Sequence, residues 1–482
     1  MEDFPAQAGL LRWRRIALPL IMILACLRFS HAHLLWADED YHIAAALNVL
    51  HGKVPYRDFW YDKPPLSALY YLLIGGHWGW LLRALDAAYV LAACSVCYRV
   101  AKLWWGETEA LIAAFLLSFF LAFYLPSAVI PFAADAVMLL PHVLALYSAA
   151  AGRYVWAGVW AGIGFLANIK GALVLAAASL WAFPQIGLPI LGFLLPVSVG
   201  AGLLYGLGAW PAYIEQVWRW GLLYAAGSPV LHPWTNGLLR TANWAGFHLA
   251  LVIAFVLALP LLTRALRWKL GAWILLSYFG VALGGRFAPH YFLQLLPPVV
   301  LLAAFGIARL LERRQRSLIV LVVLALLVPL VRFGPRYLTL ASDEMRSVEP
   351  QWSDVVMDLD SQDVAKRIEA SAHPGDTLFV WGYRPDIVVY TRMVSDGKFW
   401  DSQPLTGVAA DRHLYATSAI YGGPAAGNRI ELTRSRPTWV VDGLGLLNPR
   451  LAPDQYPEIR DWLGHYKLVG RTKLSLIYRR SE

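Results

Sequence analysis

Charge is scarce in this chain: Asp, Glu, Lys and Arg make up 15% of its 482 residues, while 58% are hydrophobic. An ordinary soluble domain carries about 25% charged and 45–50% apolar residues, so a water-soluble fold has too little polar surface to cover this much apolar material. Cysteine is scarcer still, at three residues. Cys94 and Cys97 have CxxC spacing, but with Cys26 they fall in apolar stretches, with no βαβ context and no second ligand pair. That excludes a zinc or thioredoxin-type reading and leaves ordinary packing. There is no internal repeat and no low-complexity linker. No small-residue cleavage site of good quality follows the basic, apolar N-terminus, which therefore reads as an uncleaved first helix.

What is abundant is apolar sequence, concentrated in runs such as Ile16 to Leu27, Ala110 to Leu125, Leu249 to Leu262 and Ser317 to Val331. Each is near or below the ~20 residues that cross a bilayer, so these are membrane helices, some tilted or broken. A formal net charge of +9 would suit nucleic acid if the basic residues were clustered. Instead they sit at alternate ends of the apolar runs: Arg12, Arg14 and Arg15; Arg99 and Lys102; Arg153; Arg264, Arg267 and Lys269; Arg309, Arg313, Arg314 and Arg316. The positive-inside rule places them in the cytoplasm and predicts about eleven spans. These fall near residues 14–36, 83–101, 108–129, 135–151, 153–168, 170–184, 187–207, 243–263, 268–284, 290–309 and 317–333. The segment from Leu66 to Trp80 is then re-entrant or juxtamembrane, since a crossing there would move Arg99 and Lys102 to the other side. An odd count leaves the N-terminus inside and residues 334–482 outside.

The predicted architecture is an all-α polytopic membrane domain, residues 1–333, followed by a small extracytoplasmic α/β domain, residues 334–482. The tail carries a helical stretch from Asp363 to Ala370 and strand-like stretches at Thr377 to Trp381, Thr438 to Val441 and Lys473 to Arg479. A long loop, Trp210 to Trp244, lies on the same face. The first external loop, 38–65, opens on Asp38, Glu39 and Asp40. Ile43, Leu47 and Leu50 then recur at i, i+4 and i+7 up to a stop at Gly52, which describes a short amphipathic helix at the membrane interface. After it, Val54 to Pro65 reads as a turn-rich loop dense in aromatic residues.

This topology gathers Asp38, Glu39, Asp40, Arg57, Asp58, Asp62, Lys63, Asp135, Lys170, Arg286 and His290 on the external face. Carboxylates mixed with cations at a membrane surface suit chemistry on a phosphate headgroup: a cation stabilises the leaving phosphate and a carboxylate takes a proton from an attacking hydroxyl. Each residue also has a purely structural role open to it. Asp38, Asp40 or Asp135 can cap a helix; Asp62 and Lys63 can pair in a loop before a proline-started helix; Lys170 can snorkel; Arg286 and His290 can anchor at the interface. The conjunction on one face favours a site over six separate coincidences.

The order of basic N-terminus, one span, Asp38-Glu39, a short helix, Tyr56-Arg57-Asp58 and Asp62-Lys63-Pro64-Pro65-Leu66 resembles the polytopic GT-C glycosyltransferases. Within them it is most similar to the bacterial branch related to protein mannosyltransferases and to the aminoarabinose transferase of lipid A. The resemblance covers roughly residues 10 to 310. It implies a sugar donor on a polyprenyl phosphate and a lipid, glycan or protein acceptor outside the cytoplasm. By the same resemblance Asp38 is the essential acidic residue of the first external loop and Glu39 its neighbour. Asp62 and Lys63 stand where an acidic residue and a phosphate-contacting lysine precede Pro-Pro, and Asp40, Asp135, Lys170, Arg286 and His290 are further substrate-binding candidates. Three departures matter: Asp40 adds a third carboxylate, Asp62 replaces a glutamate, and Asn168-Ile169 replaces Met-Thr before Lys170, so the aminoarabinose substrate is not carried over.

The resulting expectation is an inverting transferase of the bacterial inner membrane, with its site on the periplasmic face. The acceptor attacks the anomeric carbon in one displacement, Asp38 is the base, and Lys63 with Lys170 or Arg286 steadies the departing phosphate. No His/Cys spacing demands a metal, while a divalent ion bridging carboxylate and phosphate stays open. Nucleic acid is not an expected partner. The rival class is a transporter or flippase of lipid-linked sugars, which usually shows paired halves and charged helix breaks at the midplane. A non-catalytic envelope assembly protein leaves the acidic loop unexplained.

Overall fold

The computed structural model describes residues 4–124, 131–226, 232–341, 352–408 and 417–481. The expected end of one span at residue 129 lies outside them. The chain is mostly helical, at 69%, and the described residues include a single small sheet near the C-terminus. It divides into two compact units, each assembled from three stretches: Met1–Ala32, Trp80–Gly200 and Val230–Met345 in the first, and His33–Gly79, Ala201–Pro229 and Arg346–Glu482 in the second.

The first unit is a helical bundle. Among the described residues, four helical segments are long and apolar enough to cross a membrane, Trp80–Trp104, Gly187–Gly206, Pro289–Glu312 and Arg316–Ala341. A fifth is added if Pro233–Phe247 and Leu249–Leu261, bent by 87°, count as one span. Three further expected spans are shorter apolar helices, Ala134–Ala150, Tyr154–Ala167 and Gly171–Ala182, about 18–26 Å long at 1.5 Å per residue. Two of the long helices leave most of their apolar surface uncovered: Leu195, Val199 and Leu203 on 187–206, and Val320, Val323 and Val331 on 316–341, are each more than half exposed. Apolar area of that extent calls for lipid rather than water.

Close helix pairing shapes this unit. A Cβ on Gly158 would fall 1.9 Å from the Pro189 carbonyl oxygen, one on Gly192 would fall 1.9 Å from that of Val155, and one on Gly162 would meet Pro196 and Phe193 at 2.6 and 2.7 Å. Helices 154–167 and 187–206 therefore touch backbone to backbone, which small residues at four-residue spacing permit. The basic residues gather at one end of the bundle. Arg14 Nε donates to Glu107 at 2.6 Å, Lys102 pairs with Glu107 at 3.0 Å, and Arg309 pairs with Glu109. Trp104 stacks on Trp181, over which Lys269 lies.

The second unit is α/β. Its sheet runs β1 (Leu378–Trp381), β2 (Trp439–Asp442), β4 (Leu476–Arg480), β3 (Tyr466–Arg471), with β1 parallel to β2 and the other pairs antiparallel. Strands β1 and β2 read Leu-Phe-Val-Trp and Trp-Val-Val-Asp and are buried at every position, as strands covered on both faces must be. Strand β3 escapes a reading of apolar pattern, because four of its six residues, Lys467, Leu468, Val469 and Arg471, are exposed. The core around the sheet includes Phe379, Trp381, Leu451, Tyr456 and Trp462, together with Trp60 and Trp220. Part of segment 38–65 and part of the 210–226 segment thus belong to the same hydrophobic core as the tail.

The helix after Asp38 spans Glu39–Leu50 and ends as its Gly52 indicates. Gly52 sits at φ 84°, its N–H reaches Val49 O at 2.9 Å, and the Lys53 N–H reaches Asn48 O at 3.1 Å. This is the Schellman closure. The helix is not the expected interfacial one, since every residue from Glu39 to Asn48 is buried. Ala44, Ala45 and Ala46 give it a slim waist, and the helix Asp386–Thr391 packs against it. Residues 66–74 form two short turns, Leu66–Leu69 and Tyr70–Ile74, ending at Gly75 and Gly76 in the left-handed region.

Candidate active site

In the second unit, the acidic run is sorted by its backbone. Asp38 takes φ 75° at the N-cap of helix 39–50 but makes no side-chain capping bond there. Its carboxylate accepts instead from the Tyr383 hydroxyl, at a long 3.4 Å. Aspartate tolerates a positive φ better than most residues, and such outliers concentrate where function over-determines the backbone. Glu39 is fully buried and accepts from the Trp36 N–H at 3.3 Å; Asp40 is fully buried and accepts from the Tyr41 N–H at 2.7 Å. Of the three, only Asp38 is half-exposed.

Asp62 and Lys63 lie beside this run. Lys63 Nζ bonds Asp62 Oδ2 at 2.9 Å and sits 5.9 Å from the centre of the Tyr41 ring, and the Asp62 N–H donates to the Tyr41 hydroxyl at 3.3 Å. Asp62 Oδ1 is buried without a protein donor among the described residues. The loop carrying the pair is held by the Tyr56 hydroxyl donating to Lys63 O at 2.7 Å. It is also held by Gln216, which donates to Tyr56 O at 2.8 Å and accepts from the Tyr61 N–H at 2.7 Å. Gln216 lies in a π-helical turn, Ile214–Arg219, a form that recurs at functional positions. Arg57 turns away, pairing with Asp58 at 2.7 Å in an exposed contact.

Aromatic side chains wall this region. Tyr41 stacks on Trp400 at 4.7 Å and on Tyr61 at 5.4 Å, and its ring lies 5.4 Å from that of Tyr383. Burial first, then the charges of Asp38, Asp40, Asp62 and Asp401, push the Tyr383 hydroxyl well above its ordinary range, so it stays a proton donor. Burial, Asp62 and Asp401 do the same for Tyr41. Tyr383, Trp400, Asp401 and Gln216 were beyond reach of the sequence, because nothing near them in the chain resembles a motif.

In the first unit, three candidates meet. Lys170 Nζ donates to Asp135 Oδ1 at 2.9 Å, and His290 Nε2 lies 3.8 Å from Oδ2. Asn168 and Gln294 add donors to Oδ1 at 3.2 and 3.4 Å. Asp135 is thus engaged by side chains rather than by a helix terminus. Lys170 is buried over the Tyr291 ring, 3.6 Å from its centre, and does not snorkel. Helix Gly171–Ala182 has Lys170 at one end and Trp181 at the other, and Pro289–Glu312 has His290 at one end and Arg309 at the other. The cluster therefore occupies the end of the bundle opposite the basic residues. Arg286 lies on the loop behind His290, between the positive-φ residues Gly284, Gly285 and Phe287, with its carbonyl accepting from Asn236 at 3.0 Å. Among the described residues no group of three or more His, Cys, Asp or Glu side chains is arranged to hold a metal ion.

The fold that this bundle and the small α/β unit make up is shared with solved structures. Two solved structures similar to this chain are those of ArnT, the lipid A aminoarabinose transferase, from Cupriavidus metallidurans. The form bound to undecaprenyl phosphate matches with a TM-score of 0.61 at 16% identity over 98% of each chain. The apo form matches with a TM-score of 0.57 at 14% identity, again over 98% of each chain. No protein-family model and no curated protein matches the sequence.

Proposed function

We propose that this protein is a membrane glycosyltransferase that moves a sugar from a polyprenyl-phosphate donor to an acceptor outside the cytoplasm. The observation that carries the reading is the likeness of fold, along nearly the whole of both chains, to a transferase captured with undecaprenyl phosphate. Its support in this chain is the loop on which a half-exposed carboxylate, Asp38, stands near a lysine–carboxylate pair, Lys63 and Asp62. Asp38 takes the proton of the acceptor as that group attacks the anomeric carbon, and Lys63 stabilises the phosphate that leaves. The buried Asp62 Oδ1 is suited to accept from a hydroxyl of the donor sugar, since a buried acceptor needs a donor. Asp135, Lys170, His290 and Arg286 are assigned to the donor lipid phosphate and its surroundings. Whether a divalent ion joins the phosphate is read by turnover before and after chelation.

The orientation that goes with this reading places the basic end of the bundle in the cytoplasm and the second unit in the periplasm. In it the short apolar helices and the bent pair complete about eleven crossings. Purified protein in lipid, given a polyprenyl-phosphate sugar and an envelope extract as acceptor, is expected to release polyprenyl phosphate in step with sugar transfer. Movement of the intact donor from one leaflet to the other without its cleavage would instead identify a transporter or flippase, a reading that no observation here favours.

A further inference from the structure

Helix Ser353–Glu369 belongs to the tail, yet two of its side chains grip the backbone just ahead of Asp38. The Leu35 N–H donates to Asp358 Oδ1 at 3.2 Å. One turn further on, Gln362 Nε2 donates to the His33 carbonyl at 3.0 Å and to Asp358 Oδ2 at 2.9 Å. The Tyr390 hydroxyl also donates to Asp358 Oδ1. Asp358 is buried, so these bonds form out of competition with water and their loss would leave a buried amide or carboxylate unsatisfied.

We propose that Asp358 and Gln362 form a clasp that sets the position of Asp38, making them positioning residues for the transfer reaction although neither touches a reactant. The reasoning is geometric. Segment 33–38 contains no regular element: it follows the 3-10 turn Leu27–His31 and precedes helix 39–50. A carboxylate at φ 75° on such a segment has no helical or strand ladder to hold it, and the clasp fixes both the carbonyl of His33 and the amide of Leu35. Tyr383, which follows β1, adds a contact to Asp38 itself. Burial, then Asp386, push the Asp358 carboxyl up to about 8 while its three donors hold it down. A neutral group should therefore substitute for it where it still offers an acceptor to the Leu35 amide.

This inference rests on the assignment of Asp38 as base, so its test has one readout that depends on that assignment and one that does not. Full-length Asp358→Ala, Asp358→Asn and Gln362→Leu proteins are compared with the parent by hydrogen exchange of a peptide covering residues 33–40 and by steady-state transfer from a polyprenyl-phosphate sugar. Asp358→Ala and Gln362→Leu should raise exchange at Leu35 and its neighbours. They should lower kcat by up to about 10²-fold, the cost of misplacing a reacting group by about 1 Å, with little change in KM for the donor. Asp358→Asn keeps an acceptor for the Leu35 amide but turns an NH2 group towards Gln362 Nε2, so it should recover part of both. Unchanged exchange in Asp358→Ala and Gln362→Leu overturns the clasp. Raised exchange with unchanged kcat overturns its role in positioning. If the parent protein transfers no sugar, the glycosyltransferase reading fails, and exchange alone still decides whether the clasp exists.

Discussion

At the scale of single residues, three adjacent carboxylates have three different environments. Glu39 and Asp40 are buried and bonded to nearby amides, whereas Asp38 is half-exposed on an unusual backbone. Asp38→Asn suits this position, because asparagine also tolerates a positive φ. It should lower turnover by about 10²–10⁴-fold, the usual worth of a general base, while the lipid donor still binds. Lys63→Ala removes a charge that meets the phosphate before and during transfer, so it should weaken donor binding and also slow the reaction. Full turnover in Asp38→Asn with none in Asp40→Asn would move the base to Asp40. Asp38, Glu39, Asp62 and Lys63 were legible because they are neighbours in the chain. Tyr383, 345 residues from Asp38, was not, since only the fold brings it there.

Among elements, the pair of helices 154–167 and 187–206 gives the sharpest stability test. Gly158→Val places atoms where the Pro189 carbonyl already lies, so it should cost about 1–3 kcal/mol or more and lower the unfolding midpoint in detergent. Gly202→Ala, on helix 187–206, meets nothing within 4 Å, and replacing a helical glycine should leave stability equal or up to about 1 kcal/mol higher. Equal losses in the two variants would argue against the close pairing. Helix 353–369 offers a test by pH. The Asp358 carboxyl sits near 8 in the folded protein, above its ordinary value, so the folded state holds a proton that the unfolded state releases. Its contribution to stability is complete below about pH 4 and is lost as pH rises through about 8. The unfolding midpoint of the parent should fall more between pH 6 and pH 9 than that of Asp358→Asn. Gly52, the strands β1 and β2 and helix 39–50 could be foreseen from turn chemistry and apolar pattern. The burial of that helix could not, because its covering elements are hundreds of residues away. The exposed strand β3 carries no alternating pattern to read.

For the whole molecule, the distribution of basic residues was the most informative sequence signal. It predicted which helix ends lie together, and Arg14, Lys102, Lys269 and Arg309 do gather at one end of the bundle. The orientation proposed from it is checked with a reporter fused after Glu482 that is active only in the cytoplasm; it should be silent, and a strong signal would invert the faces. Pattern could not foresee that the second unit is sewn from three distant stretches. Trp60 and Trp220 lie in the core that the tail's sheet builds, and residues 33–35 hang on the tail's helix.

That stitching imposes a schedule on biogenesis. The Leu35 amide and the Asp358 carboxyl group that receives it are 323 residues apart, and at about 5–20 residues per second the ribosome needs about 16–65 s to make the second after the first. During that interval the acidic loop exists without the helix that fixes it. On the reading proposed above, a nascent chain has no clasp until helix 353–369 has been made, and a chain cut short before that helix should insert in the membrane yet transfer sugar more slowly than the full-length protein.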